Sequence, residues 1–166
     1  MFPSIGRVLL MGAVATATMD IVSTIARSAH IVTPLPPTLM GRWVAGIFQG
    51  QLWHANIEQA TPVGREPGIA LVTHYGVGCA FAALYLYAAS RLDVLPTGAV
   101  PAVIFGVATS VFPWLLMFPA MGFGLFGARG PIGTQLFLSS LMSHTAFGIG
   151  ICLGARAAGL GHWIGR

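Results

Sequence analysis

The stretch that decides the fold is GAVATATMDIVSTIAR, Gly12 to Arg27, an apolar segment that carries one aspartate, Asp20. At helical spacing Asp20 shares a face with Thr16 and Ser23, so the opposite face stays apolar for lipid or packing. An ionised carboxylate within hydrocarbon costs about 2.5 to 3.5 kcal/mol even on lenient insertion scales. Asp20 is therefore expected to face a partner or a water-filled cavity.

The composition of the chain predicts an integral membrane protein. Of its 166 residues, 55% are hydrophobic and only 7% are charged, against roughly 25% charged residues in ordinary soluble domains. There are eight arginines and no lysine, which excludes a retinal or pyridoxal Schiff base. The sequence pI of about 9.8 is attributed to arginines that flank the membrane, so no nucleic-acid partner is expected.

Four windows are long enough to cross about 30 Å of hydrocarbon. They predict an all-α fold, a four-span transmembrane helix bundle forming a single transmembrane domain over residues 1–166. An even number of spans places both termini on one side, and Arg7 in the short N-terminal tail favours a cytoplasmic position for that side. The predicted spans are residues 5–28, 68–90, 98–119 and 133–155.

The connection between the first two spans is expected to lie in the membrane interface, as segment 38–60. Leu39, Trp43 and Ile47 share one helical face there, which predicts a short interfacial helix. Arg42 lies beside the tryptophan, and His54 follows in a second piece of the segment.

An internal repeat is predicted from the alignment of the first half of the chain with the second at a shift of 93 residues. This shift aligns Val14-Ala15-Thr16 with Val107-Ala108-Thr109, and Asp20 with Pro113. The second and fourth spans also resemble each other around His74 and His144. Two pseudo-repeated helix pairs of this kind would be related by an axis along the membrane normal. Pro113 itself predicts a kinked third span with a freed carbonyl at Thr109.

Depth along the spans gives an independent indication of a site. At 1.5 Å per residue, the side chains of Asp20, His74 and His144 are expected in one layer, roughly 9 to 17 Å below the surface that carries the long connection. The sequence therefore predicts a polar pocket that opens toward that surface.

The chain also resembles a known family: small bacterial four-helix integral membrane proteins catalogued as a domain of unknown function. The resemblance implies a four-span membrane protein and no particular activity. The location expected for the chain is a bacterial inner membrane, with both termini cytoplasmic by the arginine argument. The residues that carry the resemblance are Met19-Asp20, Gly41-Arg42-Trp43, His54, His74-Tyr75, Phe105-Gly106, Pro119, Met121-Gly122, Gly124, His144 and Phe147-Gly148.

Several functions remain open on the sequence. In a coordination site, Asp20, His74 and His144 bind a metal ion, or the two histidines bind a b-type haem with Arg42 and His54 as further cofactor-binding residues. A second hypothesis is a proton-coupled small-molecule transporter in which Asp20 carries the proton.

The remaining hypotheses need no ligand or only a lipid-like one. The polar residues could be buried hydrogen bonds that set helix register, in a structural subunit of a larger membrane complex or a homo-oligomer. An enzyme acting on a lipid-like substrate beneath a flap at 119–133 is also open, although no catalytic residue is predicted.

Overall fold

The computed structural model describes residues 2–91 and 98–161, which are mostly helical and contain no β-strand. The prediction of an all-α fold is therefore confirmed for these residues. Single turns of 3-10 helix occur at Ile57–Gln59 and Leu125–Gly127. The α-helices are α1 (Ile5–Ser28), α2 (Pro37–Phe48), α3 (Glu66–Arg91), α4 (Ala99–Thr109), α5 (Phe118–Ala120) and α6 (Thr134–Ala157).

In residues 2–91 and 98–161, four segments are long and apolar enough to cross a membrane: α1, α3, α6 and the stretch Ala99–Ala120. Their 22 to 26 residues correspond to about 33 to 39 Å of helix. Large apolar side chains stand exposed along them, such as Ile21 at 60% and Val72 at 76% exposure. Such surfaces are expected to contact lipid, and the prediction of four helices long and apolar enough to span a membrane is confirmed.

The third span is interrupted at Pro113, as predicted, but by a widened turn. A π-helical segment runs from Pro113 to Met117, and the amide N–H of Phe118 donates to the carbonyl of Pro113. Proline lacks an N–H and its ring crowds the preceding turn. One wide turn accommodates both effects while the helix continues into α5.

The short helix predicted between the first two spans is present as α2, and its position in the membrane interface stays a prediction. It begins at Pro37, where a proline is well tolerated because the first helical N–H has no intrahelical partner. Leu39 and Trp43 are buried, at 7% and 5% exposure, whereas Ile47 is 39% exposed. The apolar face of α2 therefore packs against protein at its start and is open at its end.

The described residues form two compact units. Unit 1 comprises residues 2–25, 75–91, 98–109 and 142–161, and its core includes Met11, Leu86 and Ile151. Unit 2 comprises residues 26–74 and 110–141, and its core includes Trp43 and Phe123.

Small residues bring helices of unit 1 into close contact. A Cβ atom added at Gly106 would lie 2.6 Å from the Cα atom of Gly148, so the backbones of α4 and α6 touch there. A Cβ atom at Gly150 would likewise lie 2.7 Å from the Cα atom of Ala15 on α1. Van der Waals packing of this kind is a main source of helix association in membranes.

Candidate functional site

Asp20 forms a hydrogen bond between two spans. The hydroxyl of Tyr75 on α3 donates to Oδ2 of Asp20 on α1, over 3.1 Å. Both residues are partly buried, and the bond offsets part of the desolvation cost of the carboxyl group. The expectation that Asp20 faces a polar partner holds, and the phenol of Tyr75 is such a partner.

A second polar pair lies three residues further along α1. The hydroxyls of Ser23 and Ser143 are 2.8 Å apart, and either one can donate. Because Ser23 follows Asp20 by nearly one helical turn, the two polar side chains share a face of α1. This face is thus joined to α3 through Tyr75 and to α6 through Ser143.

The third pair, Thr109 and His144, joins α4 to α6. Oγ1 of Thr109 lies 2.7 Å from Nδ1 of His144 and 2.6 Å from the carbonyl oxygen of Gly106. A hydroxyl has one hydrogen, and a contact this short between two oxygens requires that hydrogen to point at the carbonyl. Nδ1–H of His144 must therefore donate to Thr109, which leaves Nε2 as the ring atom with the lone pair when the imidazole is neutral.

These six side chains, Asp20, Ser23, Tyr75, Thr109, Ser143 and His144, are called the polar layer. All of them belong to unit 1, where the neighbouring core is apolar and includes Met11, Phe147 and Ile151. In such surroundings the free energy of a polar side chain depends strongly on whether its hydrogen bonds are made.

The predicted set of Asp20, His74 and His144 is divided between the units. Asp20 and His144 are in the polar layer, and His74 belongs to unit 2. Within residues 2–91 and 98–161, no group of three or more His, Cys, Asp and Glu side chains could hold a metal ion. A three-ligand site gains no support from this geometry, and metal binding stays a prediction from the sequence.

Sequence reasoning missed four members of the layer as site residues: Ser23, Tyr75, Thr109 and Ser143. Tyr75 directly follows His74, so its position next to a predicted ligand was the signal that could have identified it. Thr109 was singled out for its carbonyl, but the structure uses its hydroxyl.

Arg42, predicted to bind a cofactor, is held in unit 2 by an ion pair. Its Nε donates to Oε1 of Glu66 over 2.7 Å and its Nη2 to Oε2 over 3.3 Å. Its Nη1 donates to the carbonyls of Ile57 and Ala60 over 3.1 and 3.0 Å. Both charged side chains are largely buried, at 11% and 8% exposure, so Arg42 ties α2, the 3-10 turn and α3 together.

His54, the other predicted cofactor-binding residue, lies in unit 2 close to α2 and α5. Its backbone N–H donates to the carbonyl of Ala120 over 2.8 Å, and its Nδ1 is 3.3 Å from the amide nitrogen of Gln51. Its Nε2 is buried without a hydrogen-bond partner. Burial, together with the positive charge of Arg42, lowers the pKa of His54 below its usual value, so the ring is neutral at pH 7.

Among the described residues, four helices are long and apolar enough to cross a membrane and are joined by polar pairs, a pattern typical of an integral membrane protein. The chain belongs to the family described as "Protein of unknown function (DUF2938)", whose model matches residues 9–158. The resemblance to an uncharacterised family is thereby confirmed. Searches of curated proteins and of solved structures found no match.

Proposed function

We propose that this protein is a proton-linked membrane transporter in which Asp20 takes up and releases the proton. The observation that carries the proposal is the hydrogen bond from Tyr75 to Asp20 in an apolar span. A phenol and a carboxyl group can each donate and accept, so this bond can persist whether Asp20 is charged or neutral. A proton can then be exchanged without separating α1 from α3.

His144 has the same property. Its Nδ1–H is retained in the neutral and in the cationic ring, so the bond to Thr109 survives protonation. Nε2 is the atom that changes, and imidazole titrates near neutral pH. His144 is therefore suited to receive a proton from the polar layer while α4 and α6 stay joined.

Proteoliposomes provide the test of transport. With a pH-sensitive dye inside and a pH gradient across the membrane, we expect dye-reported proton movement that depends on an added organic cation or anion from a small panel. Asp20→Asn should abolish this movement. Glu58→Gln, the same chemical change at an exposed position outside the spans, should leave it intact.

The outcome that contradicts the proposal is proton movement in Asp20→Asn equal to that of the unchanged protein. Absence of movement for every compound counts against it equally if the reconstituted protein is folded. Infrared spectroscopy gives a direct check, since the C=O band of a protonated Asp20 should appear on acidification and be missing in Asp20→Asn.

Coordination is the second candidate function, with a metal ion or a haem bound through His144. It is favoured by the bond from Nδ1–H of His144 to Thr109, because ligating histidines usually donate their other ring N–H to an oxygen. Arg42 could contact a haem propionate only by giving up part of its bond to Glu66.

Elemental analysis and an absorption spectrum of the purified protein test coordination. Stoichiometric metal or a Soret band that is lost in His144→Gln would support it. Colourless and metal-free protein would eliminate this candidate and leave the transport proposal unaffected.

A bacterial inner-membrane location with cytoplasmic termini is proposed on the sequence alone.

A further inference from the structure

Unit 2 contains buried polar atoms that have no hydrogen-bond partner. Besides Nε2 of His54, these are the hydroxyls of Ser110 and Ser140 and the indole nitrogen of Trp114. Ser110 is completely buried, at 0% exposure. Hydroxyls in the spans can bond to their own helix, as those of Thr16, Thr18 and Ser139 do to the carbonyls of Gly12, Val14 and Leu136, so the lack of partners is unusual.

Helical spacing places the two serines beside one aromatic pair that includes Trp114. Trp114 stacks on Phe137 of α6, with ring centroids 4.7 Å apart and planes inclined by 28°. Ser110 is one turn before Trp114, and the backbone N–H of Trp114 donates to the carbonyl of Ser110. On α6, Ser140 follows Phe137 by nearly one turn. Because consecutive spans run in opposite directions, both serines lie on the same side of the stacked pair, about 4.5 to 6 Å from it along the helix axes.

A third ring completes the aromatic wall. Phe126 lies 5.7 Å from Trp114 and 6.1 Å from Phe137, measured between ring centroids. Its backbone has a φ of 57°, a conformation that is unfavourable for a bulky residue. Phe126 is 45% exposed and the adjacent Leu125 57% exposed, so this wall extends to the outer surface of unit 2.

We propose that Ser110, Trp114 and Ser140 bind the uncharged carbonyl oxygen of a membrane-soluble molecule, with Phe126 and Phe137 packing against its apolar body. The indole N–H can only donate, and both hydroxyls can donate, so the ligand atom must be an acceptor. None of the three donors carries a charge, and a bare anion would be poorly compensated in an apolar span. This site is separate from the polar layer and does not depend on the transport proposal.

Two kinds of molecule supply such a carbonyl: the ester of a glycerolipid and the ring of a lipid-soluble quinone. Solvent extraction of the purified protein followed by mass spectrometry should find one of them in stoichiometric amount. Delipidated protein is then titrated with a decyl-substituted benzoquinone and, separately, with a short-chain phosphatidylcholine, and the thermal midpoint is followed. A rise with only one probe identifies the source, and a rise with either supports the site.

Variants separate binding from a structural role. Ser110→Ala, Ser140→Ala and Trp114→Phe should each weaken probe binding about three- to tenfold, as expected for loss of one hydrogen bond. Trp53→Phe, at a tryptophan that is 58% exposed, is the matched control and should bind as the unchanged protein does.

Without ligand, the sign of the stability change is also informative. Ser110→Ala removes a buried hydroxyl that has no partner, so the ligand-free variant should be at least as stable as the unchanged protein. The proposal is overturned if no carbonyl compound co-purifies and neither probe raises the thermal midpoint. Equal probe binding by the unchanged protein and all three variants would overturn it as well.

Discussion

Nδ1 of His144 lies 2.7 Å from Oγ1 of Thr109, and that hydroxyl reaches the carbonyl of Gly106 one turn back on its own helix. The chain of bonds fixes which nitrogen of the ring carries the proton and ties the ring on α6 to the backbone of α4. Such interhelical bonds are worth about 0.5 to 2 kcal/mol in membranes.

Thr109→Val, which keeps the shape and removes the hydroxyl, should lower the free energy of unfolding by about 0.5 to 2 kcal/mol. It should also allow the neutral ring of His144 to carry its proton on either nitrogen, because Nδ1–H loses its acceptor. Nitrogen NMR of histidine-labelled protein reads the tautomer directly. Thr18→Val is the control, since the hydroxyl of Thr18 donates to Val14 within α1, and an unaltered His144 spectrum in Thr109→Val would contradict the assignment.

Gly148→Ala should destabilise unit 1 by about 1 to 3 kcal/mol, the usual cost of overpacking. The added Cβ atom would lie 2.6 Å from both the carbonyl oxygen of Ala102 and the Cα atom of Val103. Gly76→Ala on α3 is the control, because nothing lies within 4 Å of its Cβ position, and there the helix propensity of alanine should help. Thermal unfolding in detergent compares the two, and equal midpoints would show that the close approach is unimportant.

Arg42→Met and Glu66→Leu should each lower the free energy of unfolding by about 3 to 5 kcal/mol, since each leaves a buried charge without its partner. The double variant R42M/E66L should lose much less than the sum, because no charge is then left unpaired. A double-mutant cycle of unfolding free energies measures the difference. Arg65→Met at an exposed position is the control, and strictly additive losses would argue against a coupled pair.

The stability of the protein should fall as the pH is lowered below about 6.5, the usual pKa of histidine, in part because of His54. Its pKa is lowered in the folded state, so the unfolded chain binds the proton more readily and acidification favours unfolding. The contribution of neutral His54 to stability is complete above the pKa that His54 has in the unfolded chain. It is lost as the pH falls toward the pKa of His54 in the folded protein, and the free energy of unfolding then changes by at most about 1.4 kcal/mol per pH unit. In His54→Gln the thermal midpoint should change less between pH 7 and 5 than it does in the unchanged protein. The same pH dependence in both proteins would refute the assignment.

The spans were predictable because their signal is local. Twenty or so apolar residues in a row suffice, and the structure changes only the ends, as with the second span beginning at Glu66 rather than at residue 68. The special status of Asp20 was equally predictable, since a carboxyl group in such a stretch needs a partner. The internal repeat stays a prediction, although Gly78 and Gly148, which it makes equivalent, both lie where helices approach closely.

The partners of the polar residues were not predictable, because they depend on the rotation of each helix about its axis and on its register against the next. These follow from packing at contacts such as Gly106 with Gly148, which composition and hydropathy do not encode. The sequence by itself determined four spans, an interfacial helix and a carboxyl group in the first span. Only the tertiary structure decided that Asp20 meets Tyr75, that Thr109 orients His144, and that Arg42 is bound to Glu66.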